Sequence, residues 1–211
     1  MITFAGAGLP PRVSVWTAEA DSGPSDDGAL LDLLDGQEKA TALRRPDHKR
    51  AAYVLAHALR RLLLASCLGA EPGEVVFTAG LSGYPDPVPD GTDWWYHSLS
   101  HSARFVAVAA APNIRLGVDI EGPRALRHAG ALARMLLAPD GGNGGRAAPQ
   151  PPPHADVLAA WVRWEALAKA TGEGLLRRLH PVPDRLSCAG REWRVHSLPH
   201  DRAHLALALA E

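Results

Sequence analysis

Cysteine is scarce, with only Cys67 and Cys188 in 211 residues, and this excludes a disulfide framework. The two have no metal-ligand spacing, so packing is their expected role and a reducing cytoplasm the expected compartment. Charge of one sign is lacking too. Lys and Arg number 22 against 23 Asp and Glu, a formal net charge of -1, so no global basic field would hold a nucleic acid. Any anion site must be local. No uninterrupted run of about eighteen apolar residues occurs, and Met1 to Arg12 lack a basic stretch leading into a long apolar one. We therefore expect a soluble protein with no membrane partner and no nucleic-acid partner. Hydrophobic residues at 46% with 21% charged are ordinary for a chain with a sizeable core, arranged as one large domain or two small ones.

What is present begins with Val13, Val15 and Trp16, which suggest a strand. A Gly/Ser/Asp-rich turn at 21–28 and a short helical run from Ala29 to Leu34 follow. From Asp47 the spacing predicts a strong helix, preceded by Pro46 and stopped by Gly69. Val54, Leu55, Ala58, Leu59, Leu62 and Leu63 make its apolar face. Its start is basic, with Arg44, Arg45, His48, Lys49 and Arg50 close together and Arg60 and Arg61 farther on. Such a cluster is either a solvated face or a phosphate contact. Glu74 to Thr78 reads as a strand and Gly80 to Thr92 as loop. Trp94, Trp95 and Tyr96 then lead into His97, Ser98, Leu99, Ser100, His101 and Ser102, and Phe105 to Ala109 form an apolar strand. Ser100 and His101 are a poor nucleophile and base. Neighbours in a strand point to opposite faces, and no Gly-x-Ser-x-Gly turn is present.

Gly117, Val118, Asp119, Ile120 and Glu121 read as a short strand in which Val118 and Ile120 face apolar packing while Asp119 and Glu121 point together the other way. Two neighbouring carboxylates repel. A hard cation such as Mg2+ would relieve them, and a solvated acidic strand end is the plainer alternative. Arg124 to Leu137 reads as helix. Residues 138–154 are rich in Pro, Gly and Ala and read as a mobile loop. A second strong helix is predicted from Ala155 to Thr171, ending at Gly172, with Trp161, Glu165 and Lys169 stacked four apart. An exposed helix ion pair would explain Glu165 and Lys169 equally well. Trp193 to Ser197 and His204 to Leu209 read as closing strands. His180, His196, His200 and His204 are spaced too irregularly for zinc and are taken as surface.

Taken in order, His97 to Ser102, Gly117 to Glu121 and Trp161 to Leu175 resemble the three motifs of the Sfp-type 4'-phosphopantetheinyl transferases. The last, Trp-Val-Arg-Trp-Glu-Ala-Leu-Ala-Lys-Ala-Thr-Gly-Glu-Gly-Leu, is similar to the family's Trp-x-x-Lys-Glu-Ala-x-x-Lys-x-x-Gly-x-Gly-Leu except at one position. The resemblance implies an α+β fold of two pseudo-symmetric halves, each a small antiparallel sheet packed on a long helix, with coenzyme A bound between them. The halves would be residues 1–112, carrying the basic helix and the Ser-His strip, and 113–211, carrying the carboxylates. The resemblance also implies transfer of 4'-phosphopantetheine from coenzyme A to a serine of an apo acyl, peptidyl or polyketide carrier protein, releasing 3',5'-ADP. Asp119, Glu121 and Glu165 would hold Mg2+, Ser100 and His101 would meet coenzyme A, and Lys169 would face the pyrophosphate. Glu165, alone or through a metal-bound water, would accept the serine proton. With both motif-bearing halves in one chain, a monomer is expected.

The chain departs from the family pattern at three places. Trp164 takes the place of the helix's first lysine, Tyr84 sits where a lysine is expected, and Ala52 stands for an arginine. Each change removes positive charge near coenzyme A, and Lys49 and Arg50 are placed to compensate. A non-catalytic carrier-protein or coenzyme-binding module of the same fold is the alternative. Loss of Asp119, Glu121 or Lys169 would have favoured it, and all three are present.

Overall fold

The computed structural model describes residues 3–5, 8–20, 28–77, 88–137, 152–172 and 179–211. Tyr84, almost all of the loop expected at 138–154 and the last residues of the helix motif lie outside them.

The apolar run Phe105 to Pro112 is the pivot of the fold because it is buried on both faces along its whole length. It is strand β5. Around it lie β1 (Thr3–Ala5), β2 (Ser14–Glu19), β3 (Val88–Asp90) and β4 (Asp93–Ser102), in an antiparallel sheet of order β1-β2-β5-β4-β3. A second antiparallel sheet, of order β6-β9-β8-β7, is built from β6 (Leu116–Glu121), β7 (Arg185–Cys188), β8 (Arg191–Leu198) and β9 (His204–Ala210). Alternation then decides the layers. Val106, Val108 and Ala110 pack on Ala56, Leu59 and Leu63 of helix α3 (Asp47–Leu68). Ala107, Ala109 and Ala111 meet Leu116, Val118 and Ile120 of β6 and Leu205, Leu207 and Leu209 of β9. Ala206 and Ala208, on the other face of β9, pack on Val162, Ala166 and Ala170 of helix α5 (His154–Thr171). The result is helix, sheet, sheet, helix, the α+β arrangement expected, with one sheet and one long helix from each part of the chain.

Both long helices stop where the sequence says. Gly69 and Gly172 take left-handed conformations, at φ 65° and 77°, in which a side chain would be strained. Lys49–Leu68 is long and apolar enough to cross a bilayer by composition. Here its apolar side is spent on the first sheet.

Helix α1 (Gly28–Asp32) and helix α2 (Gly36–Leu43) precede α3. Helix α2 lies beyond the helical run expected at Ala29 to Leu34, and Asp35 and Glu38 form a reciprocal capping box at its start. Glu38 does more than cap. It is buried, receives Arg61 Nε at 2.7 Å and Arg60 at 2.7 Å, and lies 2.8 Å from His57 Nδ1. Arg61, also buried, donates to the Val75 carbonyl at 2.8 Å and to Asp35 at 2.7 Å.

That anchoring explains one correction. The strand expected at Glu74 to Thr78 is absent from its described part, because Pro72–Glu74 form a 3-10 turn and the Val75 carbonyl goes to Arg61 instead of a ladder. A second correction concerns Arg124 to Leu137. Helix α4 spans only Ala129–Leu136, since His128 turns left-handed at φ 59° and Arg124 folds back onto Glu121. β3 lies inside the predicted loop 80–92, and β7 was missed, although Ala189-Gly190 marks the hairpin to β8. The four histidines taken as surface are half-buried. The two cysteines are unpaired, as expected.

Gly117 decides how close α5 can come. A Cβ there would lie 2.2 Å from the Ala166 carbonyl oxygen and 2.5 Å from the Ala170 nitrogen, both backbone atoms that cannot swing aside. The helix therefore rests on the bare backbone of β6.

Two predictions follow from this packing. Gly117→Ala should cost about 3 kcal/mol or more in denaturant unfolding, because it overpacks a backbone contact; a loss of a few tenths would show that α5 can shift freely. Glu38→Gln should cost about 3 to 5 kcal/mol at neutral pH by leaving Arg61 buried without its partner. Burial alone would raise the Glu38 carboxyl, but hydrogen bonds from His57, Arg61 and the Asp35 backbone, with the charge of Arg60, hold it far below its ordinary value of 4.5. Its contribution is thus fully present above pH 4.5 and is lost as the pH falls below that. Wild type and Glu38→Gln should converge in stability on acidification, and parallel pH profiles would contradict this.

Candidate active site

The site forms where the free edge of β6 meets β4. No backbone ladder joins these strands, which belong to different sheets. Three serines on one face of β4 make the junction. Ser98 Oγ accepts the Val118 N–H at 3.2 Å, Ser100 Oγ donates to Asp119 Oδ1 at 2.7 Å, and Ser102 Oγ donates to Glu121 Oε2.

Asp119 is 1% exposed. A buried carboxylate needs compensation, and Lys169 of α5 supplies it, reaching Asp119 Oδ1 at 2.7 Å and the Val118 carbonyl at 3.2 Å. The close contact at Gly117 makes this reach possible. Asp119 Oδ2 remains buried with no hydrogen-bond donor. Glu165, one helical turn before Lys169, stands against Asp119. Burial first, then the charge of Asp119, pushes its carboxyl up to about 7, with Lys169 pulling the other way. The exposed ion-pair alternative for Glu165 and Lys169 does not hold, since Lys169 pairs with Asp119. Glu121 is differently engaged. Arg124 grips both its oxygens, Nε at 2.9 Å and a terminal nitrogen at 3.0 Å.

The predicted carboxylates are therefore neighbours, but not arranged alike. Among the described residues no three Asp, Glu, His or Cys side chains converge closely enough to hold a metal as they stand. Asp119 and Glu165 do fit a hard cation, because one has a buried oxygen that neither Ser100 nor Lys169 reaches and the other is a neighbouring carboxyl raised by burial and by the charge of Asp119. Glu121 joins them only by leaving Arg124, whose side chain is 44% exposed.

The phosphate-binding candidates divide. Ser100 is buried and turned to Asp119, while His101, the next residue, belongs to the opposite face of β4. Burial lowers the His101 pKa first, and the charges of Arg45, His57 and Lys169 lower it further, so these four groups share one neighbourhood. Lys49 is exposed. Arg50 turns back on its own helix start, to Asp47 at 2.9 Å and to the Ala42 and Arg45 carbonyls. The groups whose charge acts on His101 are thus Arg45, His57 and Lys169 rather than Lys49 and Arg50. Arg45 lies over the Tyr53 ring at 4.2 Å, Tyr53 stacks on His57 at 4.0 Å, and Arg45 Nε is buried without a hydrogen-bond partner. The basic run contained Arg45, but sitting before Pro46 it has no helical phase to betray its direction. Trp164 is 1% exposed and packs with Leu136 and Ala168, a core residue beside the site.

In metal-free protein, Glu165 should titrate near pH 7, and Asp119→Asn should bring that midpoint down, as followed by carbon NMR of the side-chain carboxyl. Its folded pKa is raised, so stability should fall as the pH rises from 4.5 through 7. An ordinary midpoint near 4.5 would mean that the two carboxylates do not interact.

With this geometry in place, comparison with known proteins is informative. No family model matches the chain. The 4'-phosphopantetheinyl transferase HetI of Nostoc sp. is 27% identical over 214 residues, covering 96% of this chain and 89% of that protein. A Synechocystis sp. protein named "Putative 4'-phosphopantetheinyl transferase slr0495" is 27% identical over 201 residues, covering 90% of this chain and 80% of that protein. Similarity that runs nearly end to end, the ordered motifs, and a fold that gathers Asp119, Glu165 and Lys169 at one seam point the same way: the chain is similar, over almost its whole length, to 4'-phosphopantetheinyl transferases.

Proposed function

We propose that this enzyme transfers the 4'-phosphopantetheine group of coenzyme A, in a Mg2+-dependent reaction, to a serine hydroxyl of an apo acyl, peptidyl or polyketide carrier protein. The observation that supports this most is the environment of Asp119, a buried carboxylate held on one oxygen by Ser100 and Lys169 while the other is reached by neither, with Glu165 beside it. Asp119 and Glu165 would hold Mg2+, with Glu121 added once it leaves Arg124. The cation would supply charge neutralisation at the pyrophosphate.

This chain's own residues supply the rest. Lys169 has three N–H donors and spends two, on Asp119 and the Val118 carbonyl. The third is available to a pyrophosphate oxygen. His101, Arg45 and His57 offer a second patch for phosphate, and the unpartnered Arg45 Nε suits an anion there. Glu165, a carboxylate beside the lysine assigned to the pyrophosphate, is the group we assign to accept the proton of the carrier serine. The serine oxygen then bonds to the β-phosphorus, the bridging bond to the α-phosphate breaks, and 3',5'-ADP departs with the electron pair. Phosphoryl transfer asks chiefly for positioning and charge stabilisation, which is what these groups provide. Since β4, β6 and α5 all come from one chain, we propose a monomeric catalyst, working in the cytoplasm.

Incubation with coenzyme A, Mg2+ and an apo carrier protein should add phosphopantetheine to the carrier, as seen by mass spectrometry. Binding of both without transfer would establish a non-catalytic module. At saturating coenzyme A, Asp119→Ala should abolish Mg2+-dependent turnover. Lys169→Ala should lower it by about tenfold or more, equivalent to roughly 1.4 kcal/mol of transition-state stabilisation. Thermal melts alongside would separate chemistry from packing, and full turnover in Lys169→Ala would remove the lysine from the reaction.

A further inference from the structure

The three serines of β4 are two apart, as are Asp119 and Glu121, so one strand presents hydroxyls in step with the other's carboxylates. Ser98 spends its oxygen on a backbone N–H, whereas Ser100 and Ser102 each donate to a carboxylate. We infer that Ser100 and Ser102 are positioning residues that fix one oxygen of Asp119 and of Glu121 and thereby aim the other oxygen at the cation. This inference rests on the Mg2+ reading above.

The asymmetry of the contacts carries it. Asp119 Oδ1 receives both Ser100 and Lys169, whereas Oδ2 receives neither, and the acid shares a further hydrogen bond with the Glu165 carboxyl, the other group assigned to the cation. Glu121 Oε2 receives Ser102 as well as Arg124 Nε, while Oε1 has only the other arm of Arg124. When Arg124 gives way, Ser102 still holds Oε2, and Oε1 is left as the free donor atom. Both acids then offer one oxygen each from the same side of β6. A carboxylate has acceptor sites only, so a fixed hydroxyl is what selects which oxygen remains free. Without the hydroxyl the glutamate side chain regains rotamer freedom, and cation binding must offset that entropy. Ser102 acts on the cation through Glu121 and is not itself a ligand.

Mn2+ binding to the protein without coenzyme A, read by electron paramagnetic resonance and calorimetry, tests this without any turnover. Ser102→Ala should weaken Mn2+ binding by about fivefold or more, the scale of one charge-assisted hydrogen bond. Ser102→Thr, which keeps the hydroxyl, should restore it. Ser98→Ala is the control. It should lower the melting temperature by leaving the Val118 N–H unpaired, with Mn2+ affinity unchanged. Wild-type affinity in Ser102→Ala overturns the inference, as does an equal loss in Ser98→Ala, which would mean that packing of the junction matters and not aim. A wild-type protein that binds no Mn2+ overturns the metal reading, and this inference with it.

Discussion

Helix α5 lies on β6 at backbone distance because residue 117 has no side chain, and the chemistry depends on that contact. From that close seat Lys169 reaches both the Val118 carbonyl and Asp119. With α5 held close, a lysine and a glutamate one turn apart on the helix arrive at the same aspartate from above. The glycine of the Gly-Val-Asp-Ile-Glu stretch is therefore part of the construction of the candidate site.

The site is also balanced in charge before any ligand arrives. Lys169 neutralises Asp119, Arg124 neutralises Glu121, and Glu165 is kept partly protonated near neutral pH by its burial and by Asp119. Three acids at one seam would otherwise repel strongly enough to loosen it, because charges buried at low dielectric interact far more than in water. Of the two cations, Lys169 is the more enclosed. Arg124 lies on an irregular stretch after β6 and is the more exposed, so it is the one that can give way.

A second buried network, around Glu38, steadies the other wall. It joins α2 to α3 and, through Arg61 and the Val75 carbonyl, fixes the chain beyond α3. Phe77 lies there under Arg60, 3.8 Å from its ring, and against His97 of β4. The ionic cluster at the start of the chain thus packs onto the same strand that carries the serines.

Much of this was legible in the residues. The two long helices and their glycine stops, the apolar strand at Phe105, and the alternation that pairs Asp119 with Glu121 are all local patterns, set by periods of 3.6 and two. Local pattern failed where a distant partner overrode it. Val75 to Phe77 look like a strand but have their carbonyl claimed by Arg61, and Arg124 to His128 look helical but are bent by Glu121. The direction of Arg50, which turns back on its helix start, and of Arg45, which joins His57 and His101, was equally invisible, since a flexible cation follows whatever acceptor the fold brings near. The sequence by itself pointed to the α+β class and singled out the carboxylates and lysine of the candidate site, but the close approach that Gly117 allows appeared only in the fold. Only the tertiary structure decided which carboxylate is paired with which cation and which serine faces which acid. Those pairings form across strands and helices of different sheets, where no periodicity along the chain can reach.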